Sequence, residues 1–391
     1  MMLSKKSQVL EESITLAITA LANELKAKGE DVLSFSAGEP DFDTPQTIKN
    51  AAIKAIENGC SKYTPVAGIK DVLNAVATKL KRDNDLSYET SEIITNVGAK
   101  HSLFQCLECL VDEGDEVIIP SPYWVSYPEM VKFAGGKCVF VDTKEENGFK
   151  ITADELKNAL SEKTKVFILN TPSNPVGCVY TKEELSALAK VLEGTRVVVL
   201  SDEMYEKLCY DGVKFHAFAS VSEDAMKRTV TINGLSKCGA MPGWRFGYMA
   251  SKIKGLVPAV KKLQGQSTSN ICSISQYAAI PALLGECDED IEMMRKAFER
   301  RRNVALEMLS KMENISVYKP SGAFYLFINI SKLEKDSMKF CQKLLEEKKV
   351  AVVPGIGFGM DGYLRLSYAT SEENIIKGLE RFGEFVKNYK A

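Results

Sequence analysis

A lysine and an arginine stand eight residues apart in "NGLSKCGAMPGWRFGY" (233–248), a stretch otherwise made of small and apolar residues. Lys237 has the chemistry of a carbonyl-capturing amine, which must be neutral to attack. An apolar pocket or a neighbouring cation favours that form by penalising the ammonium. A surface lysine in a loop is the alternative. Asp202 and Tyr205 lie in "SDEMYE" (201–206), directly after a very apolar run. A carboxylate buried there needs a cation, and a protonated heteroaromatic nitrogen would serve; a helix N-cap in "SDEMYEKL" is the competing role. Trp124 offers a flat face for stacking. Gly98 and Ala99 follow "EIITNV" and begin a helix, whose unpaired N–H groups and positive end suit a phosphate. Arg245 adds a forked donor to that phosphate.

An aldehyde-bearing, phosphorylated, protonated pyridine answers all of these groups, which points to pyridoxal phosphate. The elements that must position them follow from the pattern of the chain. Short β-branched runs alternate with helical patterns from about residue 90: "EIITNV", "EVIIP", "CVFVD", "KVFILN", "RVVVLSDE" and "TVTING". That alternation predicts an α/β fold with a mainly parallel sheet covered by helices. In such sheets ligands bind beyond the carboxyl ends of the strands. Five of these runs lead into Gly98-Ala99-Lys100, "SPYW", "TPSNP", "DEMY" and "GLSK". A turn or cap explains any one of them, but not all five on one edge. After about residue 285 a long charged helix and the runs "NISVYKP", "AFYLFINI", "VAVVPG" and "YLRLSYA" predict a smaller α+β domain. The expected division is 1–40 as a segment joining the small domain, 41–284 as the large domain, and 285–391 as the small one.

The 391 residues carry a formal net charge of −2, which argues against a nucleic-acid binder. No apolar run is long enough to cross a bilayer. The opening residues read as a helix with Ile14, Ala17, Ile18, Leu21 and Leu25 on one face, not as a cleavable signal. The ten cysteines are therefore expected as free thiols in a reducing cytoplasm. Cys106 and Cys109 spell C-x-x-C, but this spacing also places two thiols on one buried helical face. With only His101 and His216 in the chain, no metal site is expected. "PGIGFG" (354–359) precedes a strand instead of following one, so it reads as a connecting loop and not a dinucleotide turn.

The stretches "SAGEPDFDTP" (36–45), "YTPVAGIKDV" (63–72), "SPYWVSYPEM" (121–130), "NTPSNPVG" (170–177), "SDEMYE", "NGLSKCGAMPGWRFGY", "PSGAFY" (320–325) and "RLSYATSEEN" (365–374) occur in this order. Together they resemble the class I aminotransferases of the aspartate aminotransferase fold, nearest the prokaryotic aspartate aminotransferase subgroup. The likeness runs over nearly the whole chain. It implies fold type I, with a seven-stranded, mainly parallel sheet in the large domain, and ping-pong transfer of an amino group from L-aspartate to 2-oxoglutarate.

By that resemblance Lys237, Asp202 and Tyr205 are catalytic: Lys237 forms the Schiff base and shuttles the proton, and Asp202 keeps the pyridine nitrogen protonated. Asn174 and Tyr205 hydrogen-bond the phenolic oxygen, Trp124 stacks, Gly98, Ala99, Lys100 and Arg245 surround the phosphate, and Ser236 also binds the cofactor. Tyr63 joins them from a neighbouring subunit, which implies a homodimer. Arg365 clamps the substrate α-carboxylate beside Gly38, although a strand arginine paired on the surface is the other reading of that position. Trp124 and Asn174 also border the substrate. Lys100 and Ser13 meet the distal carboxylate, which favours aspartate and glutamate; aromatic amino acids or prephenate are alternatives. A C–S β-lyase is the nearest other chemistry on this fold, while a binding-only regulator would carry a DNA-binding segment, and none is seen before the core. The chain departs from the resembling pattern at Pro242, where threonine is frequent, and at Cys238-Gly239, where a bulkier pair is usual.

Overall fold

The computed structural model describes residues 4–390. A two-residue strand, β1 (Leu33–Ser34), comes first. The six apolar runs named above form β2 (Ile93–Val97), β3 (Glu116–Ser121), β4 (Lys137–Asp142), β5 (Thr164–Asn170), β6 (Val198–Asp202) and β7 (Thr229–Gly234). The seventh strand, β8 (Phe246–Ser251), comes from "FGYMAS", at the tail of the lysine–arginine motif. Among the described residues these seven make one sheet in the order β2-β8-β7-β6-β5-β3-β4. All of its pairings are parallel except those of β8, which runs antiparallel to both β2 and β7. Every residue of β6, β7 and β8 is buried, as expected for strands covered on both faces.

The direction of β8 has a geometric consequence. Parallel strands deliver their last residues to the ligand edge, but an antiparallel strand delivers its first. Phe246 stands opposite Val97, and Gly247 opposite Gly234. Arg245 therefore enters the edge beside Gly98, where the helix Ala99–Leu110 begins.

The remaining strands are β9 (Ser316–Val317), β10 (Tyr325–Asn329), β11 (Val350–Ala351), β12 (Val353–Pro354) and β13 (Tyr363–Ser367). They form an antiparallel sheet in the order β12-β13-β10-β9, while β11 pairs in parallel with β1. "PGIGFG" is a short 3-10 turn between β12 and β13, in keeping with a connecting loop. The 22-residue helix Asp288–Leu309 is tied to earlier parts of the chain by ion pairs from two buried arginines. Its Arg302 is fully buried and grips Asp211 with two 2.9 Å bonds, and the adjacent Arg301 holds Asp41 at 2.7 and 3.0 Å.

The N-terminal helix, Ile14–Ala27, turns a different face inward from the one its aliphatic residues suggest. Ile14, Ile18 and Leu25 are half-buried and Ala22 is buried, but Ala17 is exposed and Leu21 is 45% exposed. The inward stripe instead includes Thr15 and Thr19, and the Thr19 hydroxyl meets Ser36 Oγ at 2.9 Å. A face that borders a polar cavity recruits hydroxyls, and a purely apolar pattern misses them. All ten cysteines are free. Cys106 is buried and Cys109 half-buried on one helix, and no cluster of metal-ligating side chains occurs among the described residues.

Gly247 shows how tightly β8 is fitted. A Cβ there would run into the backbone of Gly98 and Ala99, at the start of the helix. We expect Gly247→Ala to lower the free energy of unfolding by about 1–3 kcal/mol, read by urea denaturation, because backbone cannot rotate aside as a side chain can. A change near zero would show that this helix start is free to move.

Candidate active site

The strand ends surround one cavity of about 430 Å³. Lys237, Asp202, Tyr205, Asn174, Trp124, Ala99, Lys100, Ser236, Arg245, Arg365, Gly38 and Ser13 all line it. Gly98 sits directly behind Arg245, and Tyr63 lies elsewhere, 90% exposed.

Lys237 stands in the turn after β7, flanked by the buried Ser236 and Cys238. Its Nζ donates to the Gly38 carbonyl, and the rings of Tyr205 and Phe324 each lie 6.0 Å from it. Burial lowers its pKa to about 8; Arg365 and Arg245 also lower it, while Glu39 and Asp202 oppose the shift. At that value roughly a tenth of the amine is neutral at pH 7, against well under a thousandth for an ordinary lysine. The surface-lysine alternative does not describe this side chain.

Asp202 ends β6 and is buried. The Tyr127 hydroxyl donates to its Oδ2 at 2.7 Å, and the Met204 N–H to its Oδ1 at 3.3 Å. Burial pushes its pKa up against these two donors and the Lys237 charge. The residues after it form turns and no helix begins there, so the helix N-cap role falls away.

Arg365 lies in mid β13, 2% exposed. Nη1 donates to Asn174 Oδ1 at 3.0 Å and Nη2 to the Ser36 carbonyl at 2.8 Å, while the buried Nε has no partner. Its guanidinium faces the rings of Tyr325 at 4.5 Å and Phe358 at 5.0 Å. Among the described residues no carboxylate pairs with it, so it is not a surface ion-pair residue. Burial lowers its pKa.

Arg245 adopts φ +54° at the end of the 3-10 turn Pro242–Trp244. Nη1 donates to the Pro242 carbonyl at 2.7 Å, and Nη2 to that of Val97 at 3.2 Å. Proline at the first position of this turn costs no hydrogen bond and fixes φ, so Pro242 sets the arginine's approach. Gly98 has φ +77°, and a Cβ there would lie 2.6 Å from Arg245 Nη2. Gly239 has an equally local reason: a Cβ would lie 2.9 Å from the Leu235 carbonyl oxygen.

Lys100 Nζ lies 4.8 Å from the centre of the Trp124 ring, and burial and Arg245 depress its pKa. Tyr127 meets the same indole edge-on at 5.3 Å. Beside Ser13, which caps the N-terminal helix without a side-chain bond, Thr15 lines the cavity with a buried, unpartnered hydroxyl. Tyr127, Tyr325, Ser36, Thr15 and Glu39 are the site residues that sequence reasoning missed. Tyr127 lies three residues after Trp124 in "SPYWVSYPEM" and Tyr325 closes "PSGAFY", so position within a motif was the available signal.

The architecture is that of fold type I, the aspartate aminotransferase-like class of α/β transferases. It superposes on an aspartate aminotransferase of Thermus thermophilus, solved with maleate, with a TM-score of 0.94 at 43% identity over 98% of this chain and 99% of that one. It superposes on the aspartate aminotransferase of Rhizobium meliloti with a TM-score of 0.96 at 37% identity over the whole of both. The chain belongs to the family aminotransferase class I and II, whose family model matches residues 30–382. It is 49% identical to an aspartate aminotransferase of Bacillus subtilis (strain 168) over the full length of both chains. To a probable aspartate/prephenate aminotransferase of Aquifex aeolicus it is 46% identical, over 97% of each.

In the cofactor-free protein, labelling of Lys237 by an amine-reactive aryl sulfonate should rise with a midpoint near pH 8. Glu39→Gln should lower that midpoint, since it removes a charge that favours the ammonium. Peptide mass spectrometry across a pH series reads both, and a midpoint near the ordinary lysine value would contradict the burial argument.

Proposed function

We propose that this transaminase uses pyridoxal phosphate to move the amino group of L-aspartate to 2-oxoglutarate, giving oxaloacetate and L-glutamate. The observation that carries the reading is a cavity holding three desolvated ionisable groups, Lys237, Asp202 and Arg365, with no counter-charge hydrogen-bonded to any of them. The donor set fits the cofactor: an amine for the aldehyde, an acid for a pyridinium nitrogen, and an arginine beside a helix start for the phosphate. Gly98, Ala99, Lys100, Ser236 and Arg245 would hold the phosphate, Trp124 the ring face, Asp202 the ring nitrogen, and Asn174 with Tyr205 the phenolic oxygen.

When bound, the cofactor supplies an aldehyde and an electron-accepting ring. The chain supplies the rest. The Lys237 amine would take the proton from the substrate α-carbon and return it on the cofactor side. Asp202 stays ionised once a cation faces it and keeps the ring nitrogen protonated. Arg365 binds the α-carboxylate and so fixes which bond at the α-carbon is presented. Lys100, Ser13 and Thr15 receive the distal carboxylate, a role supported by the unpartnered hydroxyl of Thr15 and the depressed pKa of Lys100.

A homodimer belongs to the same reading. It is supported by Tyr63, 90% exposed, and by Ile53 and Ile56, 50% and 63% exposed on the helix Gln46–Glu57. The division into 1–40, 41–284 and 285–391 is likewise proposed, with the β1–β11 pairing in its support. No described helix is long and apolar enough to cross a membrane.

Aspartate should convert the bound cofactor to its amine form in one half-reaction without releasing ammonia; ammonia and pyruvate from a cysteine conjugate would instead mark a β-lyase. Lys237→Ala should slow that half-reaction on the order of 10⁴-fold in stopped-flow absorbance. Lys100→Ala should raise KM for aspartate about 10-fold or more beyond any change it causes for phenylalanine, given the worth of one charge-assisted hydrogen bond, because the loss of its phosphate contact falls on both substrates alike. Equal losses for the two substrates would reject the distal-carboxylate role, and a panel including prephenate ranks the alternatives.

A further inference from the structure

Tyr325 opens β10 and is completely buried. It touches three parts of the site at once. Its hydroxyl lies 2.8 Å from that of Tyr205, its ring lies 4.5 Å from the Arg365 guanidinium, and a Cβ on Gly38 would come within 3.1 Å of its oxygen. The two hydroxyls have no other hydrogen-bond partner among the described residues. Each phenol has one hydrogen to give. Were Tyr205 to donate to Tyr325, the Tyr325 hydrogen would be buried with no acceptor, at a cost that native interiors avoid. Both rings line the cavity, but Tyr325 is completely buried whereas Tyr205 keeps 5% of its surface exposed there, so the opposite direction satisfies both, with Tyr205 passing its own hydrogen to a ligand.

Resting on the functional reading above, we propose that Tyr325 is a positioning residue that donates to Tyr205, fixes the direction of the Tyr205 hydrogen toward the cofactor, and carries the charge state of Arg365 to that bond. The Arg365 charge pulls both hydroxyls toward ionisation against the effect of burial, but only Tyr325 has its ring against the guanidinium, at 4.5 Å, which favours Tyr325 as the donor. Donors in series polarise one another, so Tyr205 becomes a stronger donor in turn. A substrate carboxylate on Arg365 balances that charge and relaxes the series. The Arg365–Asn174 bond is a separate route, and Tyr325→Phe leaves it in place.

The test uses the holoenzyme and follows the absorbance of bound pyridoxal phosphate against pH, with and without maleate. Wild type, Tyr325→Phe, Tyr205→Phe and the double variant are compared. A donor to the phenolic oxygen favours the form in which the attached lysine nitrogen is unprotonated, so weakening it raises the midpoint. Tyr325→Phe should raise the midpoint by about half a pH unit and shrink the shift that maleate causes. In the Tyr205→Phe background the same substitution should have no further effect. Glu39, Arg365, Arg245 and Asp202 also face Lys237, and none of them is altered. Midpoints that agree between wild type and Tyr325→Phe overturn the proposal, as does an undiminished effect without the Tyr205 hydroxyl. Wild-type protein that takes up no pyridoxal phosphate overturns the functional reading and this inference with it.

Discussion

Charge taken out of water needs compensation, and most of the buried ionic side chains of this chain have an opposite charge beside them. Three exceptions meet around one cavity, and a fourth, Glu203, lies away from it, with the Ser201 hydroxyl as its donor and its pKa raised to about 8 by burial. Arg302 is fully buried and has Asp211; Arg301 has Asp41; buried Lys79 has Glu206, with Asn84 bonded to both. Lys237 meets only a carbonyl, Asp202 only a phenol and a peptide N–H, and Arg365 only an amide and a carbonyl. Neutral dipoles lower the cost of burying an ion but do not cancel it, so each group is left with shifted protonation or unspent interaction energy. A ligand carrying the complementary charges recovers both. The cavity is in this sense an ion-pair network with one set of members missing, held open by the rest of the fold.

Holding it open is a matter of strand direction and close backbone approach. Four parallel strands bring Trp124, Asn174, Asp202 and Lys237 to one edge, and the antiparallel β8 brings Arg245 to the same edge from the other direction. The fit depends on Gly98 and Gly247, where two turns of backbone meet with no room for a side chain. Arg365 arrives from a different sheet, through β13 and its pairing with β10 and β12. The ends proposed for the α-carboxylate and for the cofactor are thus built on separate supports, joined by the Arg365–Asn174 bond and by the Tyr205–Tyr325 contact.

The existence of strands β2 to β7 was legible because mostly buried strands read as unbroken apolar runs, each ended by a turn, and even the edge strand β4, none of whose residues is buried, keeps such a run. β8 was not, because its run "FGYMAS" follows the arginine without a break and carries glycine and alanine where β-branched residues would signal a strand. Lys237, Asp202 and Arg365 stood out as charges inside apolar surroundings, a contrast visible along the chain. Tyr127 and Tyr325 showed no such contrast, since a tyrosine in an apolar stretch looks like core; their role lies in where the hydroxyl ends, and tertiary packing decides that. Thr15 was hidden for a related reason. A helix that borders a polar cavity turns hydroxyls inward, so reading its face from Ile14, Ala17, Ile18, Leu21 and Leu25 misplaced Ala17 and Leu21 and passed over Thr15 and Thr19.

The same distribution separates chemistry from substrate choice. Under the proposed reading, proton transfer and cofactor binding rest on residues at the edge of a sheet whose central strands are buried throughout, so their positions cannot shift without disturbing the core. Ser13 and Thr15, proposed for the distal carboxylate, come instead from the start of a half-exposed helix. Its anchors are a narrow apolar stripe, Ile14, Ile18, Ala22 and Leu25, while the flanking chain is held by the two-residue β1–β11 pairing and light surface contacts, such as Lys6 with Glu108 at 3.0 Å and the Glu11 N–H with Glu129 at 2.8 Å. Exposed ion pairs of that kind hold on the order of 1 kcal/mol or less. Under the proposed reading, substitutions in this arm re-aim the distal groups at little cost to the fold. Selectivity among dicarboxylic and aromatic substrates can then change while Lys237, Asp202 and Arg365 stay where they are.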